Sequence, residues 1–199
     1  MSEHEYMTNV WHVTGRCIAH PPPPGWRDDL IARLGQRPRR IGVWSELASY
    51  GALRCLEDAQ EVALPRDSIV RVSSKAGTAT AFTNALRQSH EGYLLPVSFL
   101  QSQPSQMLAA LVNHLNWRGD ASYITCADPL AEISLACAEA HHRGMLIGWV
   151  DDSPILRSVW LRIVPSAAPP RSFSAATMAS FDVMSMEYFK LAPAGLLIA

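Results

Sequence analysis

A cysteine at the end of a predicted strand is the residue of this sequence best placed for nucleophilic chemistry. The turn at residues 125–129 reads TCADP, with Cys126 in second position, and it joins a predicted strand at 121–126 to a predicted helix at 130–142. Many α/β enzymes hold their nucleophile at such a turn between strand and helix. A thiol reacts as the thiolate, which needs a neighbouring base or positive charge, and acyl transfer also needs oxyanion donors. The sequence places neither beside Cys126, so we predict a small buried residue there rather than a nucleophile.

Metal and cofactor chemistry has little support. Cys137 and His141 stand one helical turn apart, but a single pair of this kind belongs more often to a core or surface than to a metal site. The four cysteines show no CxxC spacing, which argues against both a zinc site and a disulfide framework. The sequence also lacks a GxSxG elbow, a P-loop and a GxGxxG motif. We therefore expect no metal and no cofactor.

Composition and charge exclude several classes of protein. The chain has 199 residues, of which 48% are hydrophobic and 18% charged, so it can bury a core. A formal net charge of -1 gives no overall attraction to nucleic acid or to an anionic membrane. The basic cluster of Arg33, Arg37, Arg39 and Arg40 is predicted to be a solvated loop or helix end. No window has the roughly 18 consecutive apolar residues of a membrane span, and the N-terminal residues do not resemble a signal peptide, so we expect a cytoplasmic protein.

Strands and helices alternate along most of the sequence. The spacing of apolar residues predicts helices at 44–59, 77–88, 104–116 and 130–142, and it allows a further short helix at 28–34. Strands are predicted at 10–18, 68–73, 121–126, 145–150 and 157–164. This order indicates a layered α/β domain with a mixed five-stranded sheet. Periodicity is lost from residue 165, so residues 165–199 are predicted to form an arm that packs on the domain or on a partner.

The predicted helix at 130–142 is unusual because small side chains surround most of it. Small residues on several faces permit close packing on more than one side, as in a helix buried between layers. They are Ala131, Ser134, Ala136, Cys137, Ala138 and Ala140.

Seven pieces of the sequence, taken in order, resemble the N-terminal half of the β-ketoacyl synthases, the condensing enzymes with a thiolase-like fold. They are the helix at 45–59, the strand at 68–73 leading into KAG, the PVSF segment at 96–99, NWRG at 116–119, ITCA at 124–127, the alanine-rich helix to Gly144 and the strand at 145–150. The resemblance covers residues 9–164 and implies a thiolase-like half-fold. Within the family, the sequence is most similar to short chain-length-factor-like subunits associated with aryl polyene and related polyketide pathways.

Two departures from the family imply that the chain is catalytically inactive. Counting back from Gly144 places Ala127 where a condensing enzyme carries its cysteine, and Cys126 stands one residue too early. A slip of one residue reverses the direction of a side chain on a strand, so Cys126 does not inherit the role. The family takes its two active-site histidines and its oxyanion loop from a C-terminal half that these residues do not contain.

The resemblance therefore implies a non-catalytic subunit that forms a heterodimer with a full-length β-ketoacyl synthase and shapes its acyl channel in polyketide or fatty acid chain elongation. An acyl carrier protein would be met through the complex. The implied interface is the strand before the turn, formed by Ser122, Tyr123, Ile124 and Thr125. Gln103, Met107 and Leu111 would line or close the partner's channel.

Two other functions remain open from the sequence. One is a reduced acyltransferase or thioesterase in which Cys126 is joined by a histidine brought near by folding. The other is a structural domain that associates with a copy of itself through the strand at 122–125.

Overall fold

One mixed β-sheet runs through the protein. The computed structural model describes residues 10–93, 95–140, 143–166, 188–191 and 197–198. Five strands form the main sheet in the order β3-β2-β4-β5-β1, with β3, β2 and β4 parallel and the remaining neighbours antiparallel. The strands are β1 (Val10–Ala19), β2 (Ile69–Ser74), β3 (Asp120–Thr125), β4 (Met145–Asp151) and β5 (Arg157–Ser166). The predicted mixed five-stranded sheet is confirmed.

Two short strands of the C-terminal arm extend this sheet beyond β1. The backbone of β6 (Tyr188–Leu191) pairs antiparallel with β1, and β7 (Leu197–Ile198) pairs with β6. The full order is therefore β3-β2-β4-β5-β1-β6-β7. The rest of the arm, residues 167–187, 192–196 and 199, lies outside the described residues.

Helices cover both faces of the sheet. On one face, α1, α2 and α5 pack over the strands, and α6 lies on the other. The helices are α1 (Trp26–Leu34), α2 (Val43–Asp58), α3 (Ala79–His90), α4 (Pro96–Gln101), α5 (Pro104–His114) and α6 (Pro129–Ala140). The short α4 was not predicted, because six residues give too little periodicity. None of the described helices is long and apolar enough to span a membrane.

The core between α2 and the sheet depends on two glycines that let Trp160 lie flat between them. A Cβ atom added to Gly51 of α2 would lie 2.2 Å from the Ser158 hydroxyl oxygen and 2.3 Å from Cδ1 of Trp160. A Cβ atom on Gly148 of β4 would lie 2.4 Å from Cε2 of the same indole. Helix and sheet therefore approach more closely here than any larger residue permits.

The small-residue helix α6 is covered on one face only within the described structure. Ile133, Ala136, Cys137 and Ala140 are buried against β4 and the neighbouring strands. The opposite face, with Ala131, Leu135 and Ala138, is exposed, and Leu135 is 45% exposed. The second covering layer expected for this helix is thus not supplied by the residues described.

The apolar face of α3 points away from the core. Ala85 is buried, but Phe82 and Leu86 are 55% and 46% exposed. Exposed apolar residues continue through the following segment, and we call the whole surface the α3–α4 face: Phe82, Leu86, Tyr93, Leu95, Val97, Phe99 and Leu100.

The Gly51→Ala variant should be destabilised by about 1–3 kcal/mol, because the new methyl group overlaps Ser158 and Trp160, and this outweighs the helix propensity of alanine. The measurement is equilibrium unfolding in urea. Gly42→Ala is the matched control, since a Cβ there meets its nearest atom at 3.4 Å. Equal stability of the two variants would contradict the close packing described.

Candidate functional site

The turn after β3 is held by hydrogen bonds to β2 and to its own first helical residues. The Cys126 N–H donates to the carbonyl oxygen of Ser74 over 3.1 Å. The carboxylate of Asp128 accepts from the Leu130 N–H over 2.9 Å, as a residue preceding a helix commonly does, and Pro129 follows in the first helical position. The structure therefore contains the predicted strand, turn and helix.

Cys126 lies in this turn and is partly exposed rather than buried as predicted, because it stands beyond the end of β3 and is not covered by α6. Its thiol donates to the backbone carbonyl of Asp128 over 3.2 Å, and within the described residues no histidine or basic side chain is hydrogen-bonded to it. Ala127 is exposed at the position implied for the nucleophile. His114 is bonded to Ser49 on α2, and His141 and His142 lie outside the described residues. The arrangement offers no described partner that would generate a thiolate.

The other cysteines offer no metal or redox site. All four are free, and burial raises the pKa of the Cys137 thiol. Within the described residues no group of three or more His, Cys, Asp or Glu side chains could hold a metal ion.

Sequence reasoning missed the group that organises this end of the sheet, the carboxylate of Asp151. One of its oxygens accepts hydrogen bonds from the Ser74 hydroxyl and from the Lys75 and Ala76 N–H groups, the last two over 3.0 and 3.2 Å. Arg157 pairs with the other oxygen. Burial acts to raise the pKa of Asp151, but the hydrogen bonds and Arg157 outweigh it and hold the pKa below its usual value. The sequence signal was the pair of aspartates that directly follows the predicted strand at 145–150.

A second buried polar cluster joins β3 to α6. The Arg71 guanidinium, near the centre of β2, donates to the Ser122 hydroxyl over 3.2 Å and pairs with Glu132 at 3.5 Å and with Glu139. Glu132 is almost fully buried; burial raises its pKa, and Arg71 offsets only part of this effect. The small-residue pattern of the helix gave no indication of this cluster.

The strand implied as the interface is the free edge of the main sheet. Tyr123 packs edge-on against Trp44, with ring centroids 5.4 Å apart, while Ser122 faces the opposite side toward α6. Because the Cys126 N–H points to β2 and backbone groups alternate along a strand, those of Ala121, Tyr123 and Thr125 point outward. Ile124 is half-buried between them. Among the residues that the structure describes, the edge thus presents unpaired donors and acceptors.

The predicted channel residues lie behind this edge, in α5 and at its start. Met107 and Leu111 are fully buried in the core of this chain, whereas Gln103 precedes α5 and is partly exposed. The structure therefore brings Ser122, Tyr123, Ile124 and Thr125 together at one edge and places Met107 and Leu111 in the layer beneath it.

Comparison with known proteins identifies the fold. No family model and no curated protein matches the sequence. Among solved structures, the chain is similar to the ishigamide ketosynthase/chain length factor, with a TM-score of 0.60 and 14% identity over 79% of this chain and 59% of that chain. The fold is thus the thiolase-like fold of ketosynthases and chain length factors, and the chain spans less than two thirds of the ishigamide chain.

Two further structures have the same fold. One is the ketosynthase ApeO in complex with its chain length factor ApeC from Xenorhabdus doucetiae, with a TM-score of 0.54 and 14% identity over 80% of this chain and 79% of that chain. The shared region makes up nearly the same fraction of this chain and of the matched chain, so these two chains are similar in length. The other, AntDE:AntF, is a ketosynthase complex with an acyl carrier protein, with a TM-score of 0.54 and 13% identity over 80% of this chain and 63% of that chain.

Asp151→Asn should lower the free energy of unfolding at pH 7 by about 1.5–3 kcal/mol, the usual range for hydrogen bonds to a charged group. The pKa of Asp151 is lower in the folded state, so its stabilisation is present above the unfolded pKa and is lost as the pH falls through the folded value. The difference in free energy of unfolding between wild type and variant, measured in urea, should therefore become smaller below about pH 4. Asp152→Asn is the control, because burial raises the pKa of Asp152. The stability of wild type relative to this variant should therefore increase, rather than decrease, as the pH falls. A difference for Asp151→Asn that is constant from pH 7 to pH 2 would show that its charge is not involved.

Cys126 should react with iodoacetamide at pH 7 no faster than a free cysteine in a short peptide, because it has no activating partner. Labelling is followed by mass spectrometry of the intact protein and its peptides, with Cys126→Ser as the blank. A rate at least about tenfold above the peptide would reinstate the cysteine-dependent acyltransferase or thioesterase.

Proposed function

We propose that this chain is a non-catalytic, chain-length-factor-like subunit that forms a heterodimer with a full-length ketosynthase. The observation that carries the proposal is the combination of the condensing-enzyme turn with Ala127 in the nucleophile position, directly after a free edge strand. The turn joins a strand to a helix as such a site would, but alanine stands at the implied nucleophile position and no described side chain activates the neighbouring Cys126. A chain of this kind contributes surface to a complex rather than chemistry.

The free edge of β3 is the first element of the proposed interface. An exposed strand edge readily pairs with another strand, and natural proteins usually protect such edges with proline, lysine or a bulge. Between Ala121 and Thr125 the strand has none of these. Antiparallel pairing with the corresponding strand of a ketosynthase would satisfy the outward backbone groups of Ala121, Tyr123 and Thr125.

The α3–α4 face is the second element. It starts beside the edge strand, since a Cβ on Gly77, two residues before α3, would lie 3.4 Å from the Tyr123 hydroxyl oxygen. Exposed apolar surfaces that are continuous in this way mark interaction sites more often than free surface. Burying the α3–α4 face in the same heterodimer would add the hydrophobic area that strand pairing alone does not provide.

In this proposal the channel residues act in two ways. Gln103, which is partly exposed, is placed to contact an acyl chain in the partner, whereas Met107 and Leu111 would set the position of α5 from within the core. The acyl carrier protein would deliver substrate to the ketosynthase and meet this chain only through the complex. The proposal includes a cytoplasmic location and an aryl polyene or related polyketide pathway.

Co-expression with each ketosynthase encoded in the source genome should yield a 1:1 complex with one of them, measured by size-exclusion chromatography with light scattering. Ala121→Pro should weaken this complex at least about tenfold, because proline removes an outward N–H and its ring crowds the neighbouring strand. Ala121→Ser keeps the N–H and is the matched control. Circular dichroism establishes that both variants fold.

The remaining outcomes decide between the alternatives. A dimer of this chain alone that Ala121→Pro dissociates, with no ketosynthase bound, would identify the self-associating structural domain. A stable monomer that binds no ketosynthase would overturn the proposal.

A further inference from the structure

A cavity of about 620 Å³ lies between the loop that joins α1 to α2 and the end of α5, on the face of the sheet opposite α6. Its lining includes Leu34, Arg37, Pro38, Arg39, Asn113 and His114. Nothing in the proposed heterodimer uses it. The volume falls within the range of small-molecule sites, about 300–1,000 Å³.

The charge of this cavity is not neutralised by the protein. No aspartate or glutamate lines it, and within the described residues neither Arg37 nor Arg39 forms an ion pair. Arg33, the remaining neighbour on α1, is paired with Asp29 and Glu57. Of the basic cluster predicted to be a solvated loop or helix end, Arg33 is therefore paired, whereas the exposed Arg37 and Arg39 share the cavity and Arg40 does not line it.

A second cavity, by contrast, is lined by equal numbers of positive and negative side chains. It has a volume of about 520 Å³, lies between β1 and α2, and is lined by Arg16 and Arg54 together with Glu57 and Asp58. Arg54 pairs with Glu57 at 3.0 Å, and the Asp58 carboxylate, which also lines this cavity, accepts from the backbone N–H of Arg16 over 2.8 Å. The two cavities have similar volumes, but only the first has an excess of positive charge.

His114 adds a polar ring to the lining of the first cavity. The Ser49 hydroxyl donates its one proton to the Ser45 carbonyl over 3.0 Å, and its oxygen lies 2.8 Å from Nδ1 of His114. In this arrangement the neutral ring carries its proton on Nδ1, and Nε2 is an acceptor. Burial lowers the pKa of His114 and favours this neutral form.

The ligand class follows from these groups. Two arginine forks match the oxygens of a phosphate, and the Nε2 acceptor suits a hydroxyl group on the same ligand. The carboxyl end of α5 contributes a partial negative charge of about half a unit, which two full guanidinium charges outweigh. The cavity is larger than a phosphate ion, and Leu34 offers apolar surface to an organic group. We propose that this cavity binds the phosphate monoester of a small organic molecule.

The test is a titration with phenyl phosphate and with inorganic phosphate, followed by calorimetry at constant ionic strength, because added salt alone screens surface charge. Wild type should bind phenyl phosphate more tightly than inorganic phosphate. In the double variant Arg37→Gln/Arg39→Gln, the affinity for phenyl phosphate should fall at least about tenfold.

Arg66→Gln/Arg118→Gln is the matched control, since it removes two exposed arginines that line neither cavity and form no ion pair within the described residues. It should bind phenyl phosphate as wild type does. Absence of binding to wild type, an equal loss in both double variants, or equal affinity for the two ligands would overturn the proposal. None of these results depends on whether the chain binds a ketosynthase.

Discussion

The carboxylate of Asp151 is the group that ties together the carboxyl ends of the three parallel strands. Asp151 ends β4, and its carboxylate gathers the Ser74 hydroxyl and the first N–H groups of the loop after β2. Ser74 in turn accepts the Cys126 N–H through its carbonyl oxygen, so the turn after β3 is tied to the same point. Three parallel strands therefore end in one hydrogen-bonded array, which fixes the turn that contains Cys126 and Ala127.

The edge strand β3 is held in place by side-chain contacts on its two faces, whereas its outward backbone groups make no such contact within the described residues. On one face, Tyr123 packs on Trp44 above the core; on the other, Ser122 accepts from Arg71, which Glu132 and Glu139 neutralise. Buried charges of this kind contribute little net stability, because their desolvation offsets most of their attraction, but they restrict how the strand can be placed. A strand fixed on both faces and open at its edge, within the described residues, is well suited to pairing with a further strand.

Residues with strong local patterns were predicted well from the sequence, and residues that act through distant partners were not. The helix at Val43–Asp58 and the strand at Met145–Asp151 were predicted to within about one residue, because helical and strand periodicities are local properties. Asp151 was missed because its partners at the end of β2 are 75 to 77 positions away, and Arg71 because Ser122 and Glu139 are 51 and 68 positions away. The apolar spacing in the helix predicted at 77–88 includes Phe82 and Leu86, but periodicity does not tell whether a helical face meets the core or remains exposed.

The sequence alone determined the order of the elements other than α4, β6 and β7, and the mixed α/β sheet, since these follow from residue type and short-range spacing. Only the tertiary structure decided which strand lies at the sheet edge, which face of α6 is covered and which arginines remain unpaired. These depend on contacts between segments far apart in the chain, where burial and charge neutralisation are set by the fold as a whole. For the same reason Met107 and Leu111, which an apolar stripe could place in a core or beside a channel, proved to be buried within this chain.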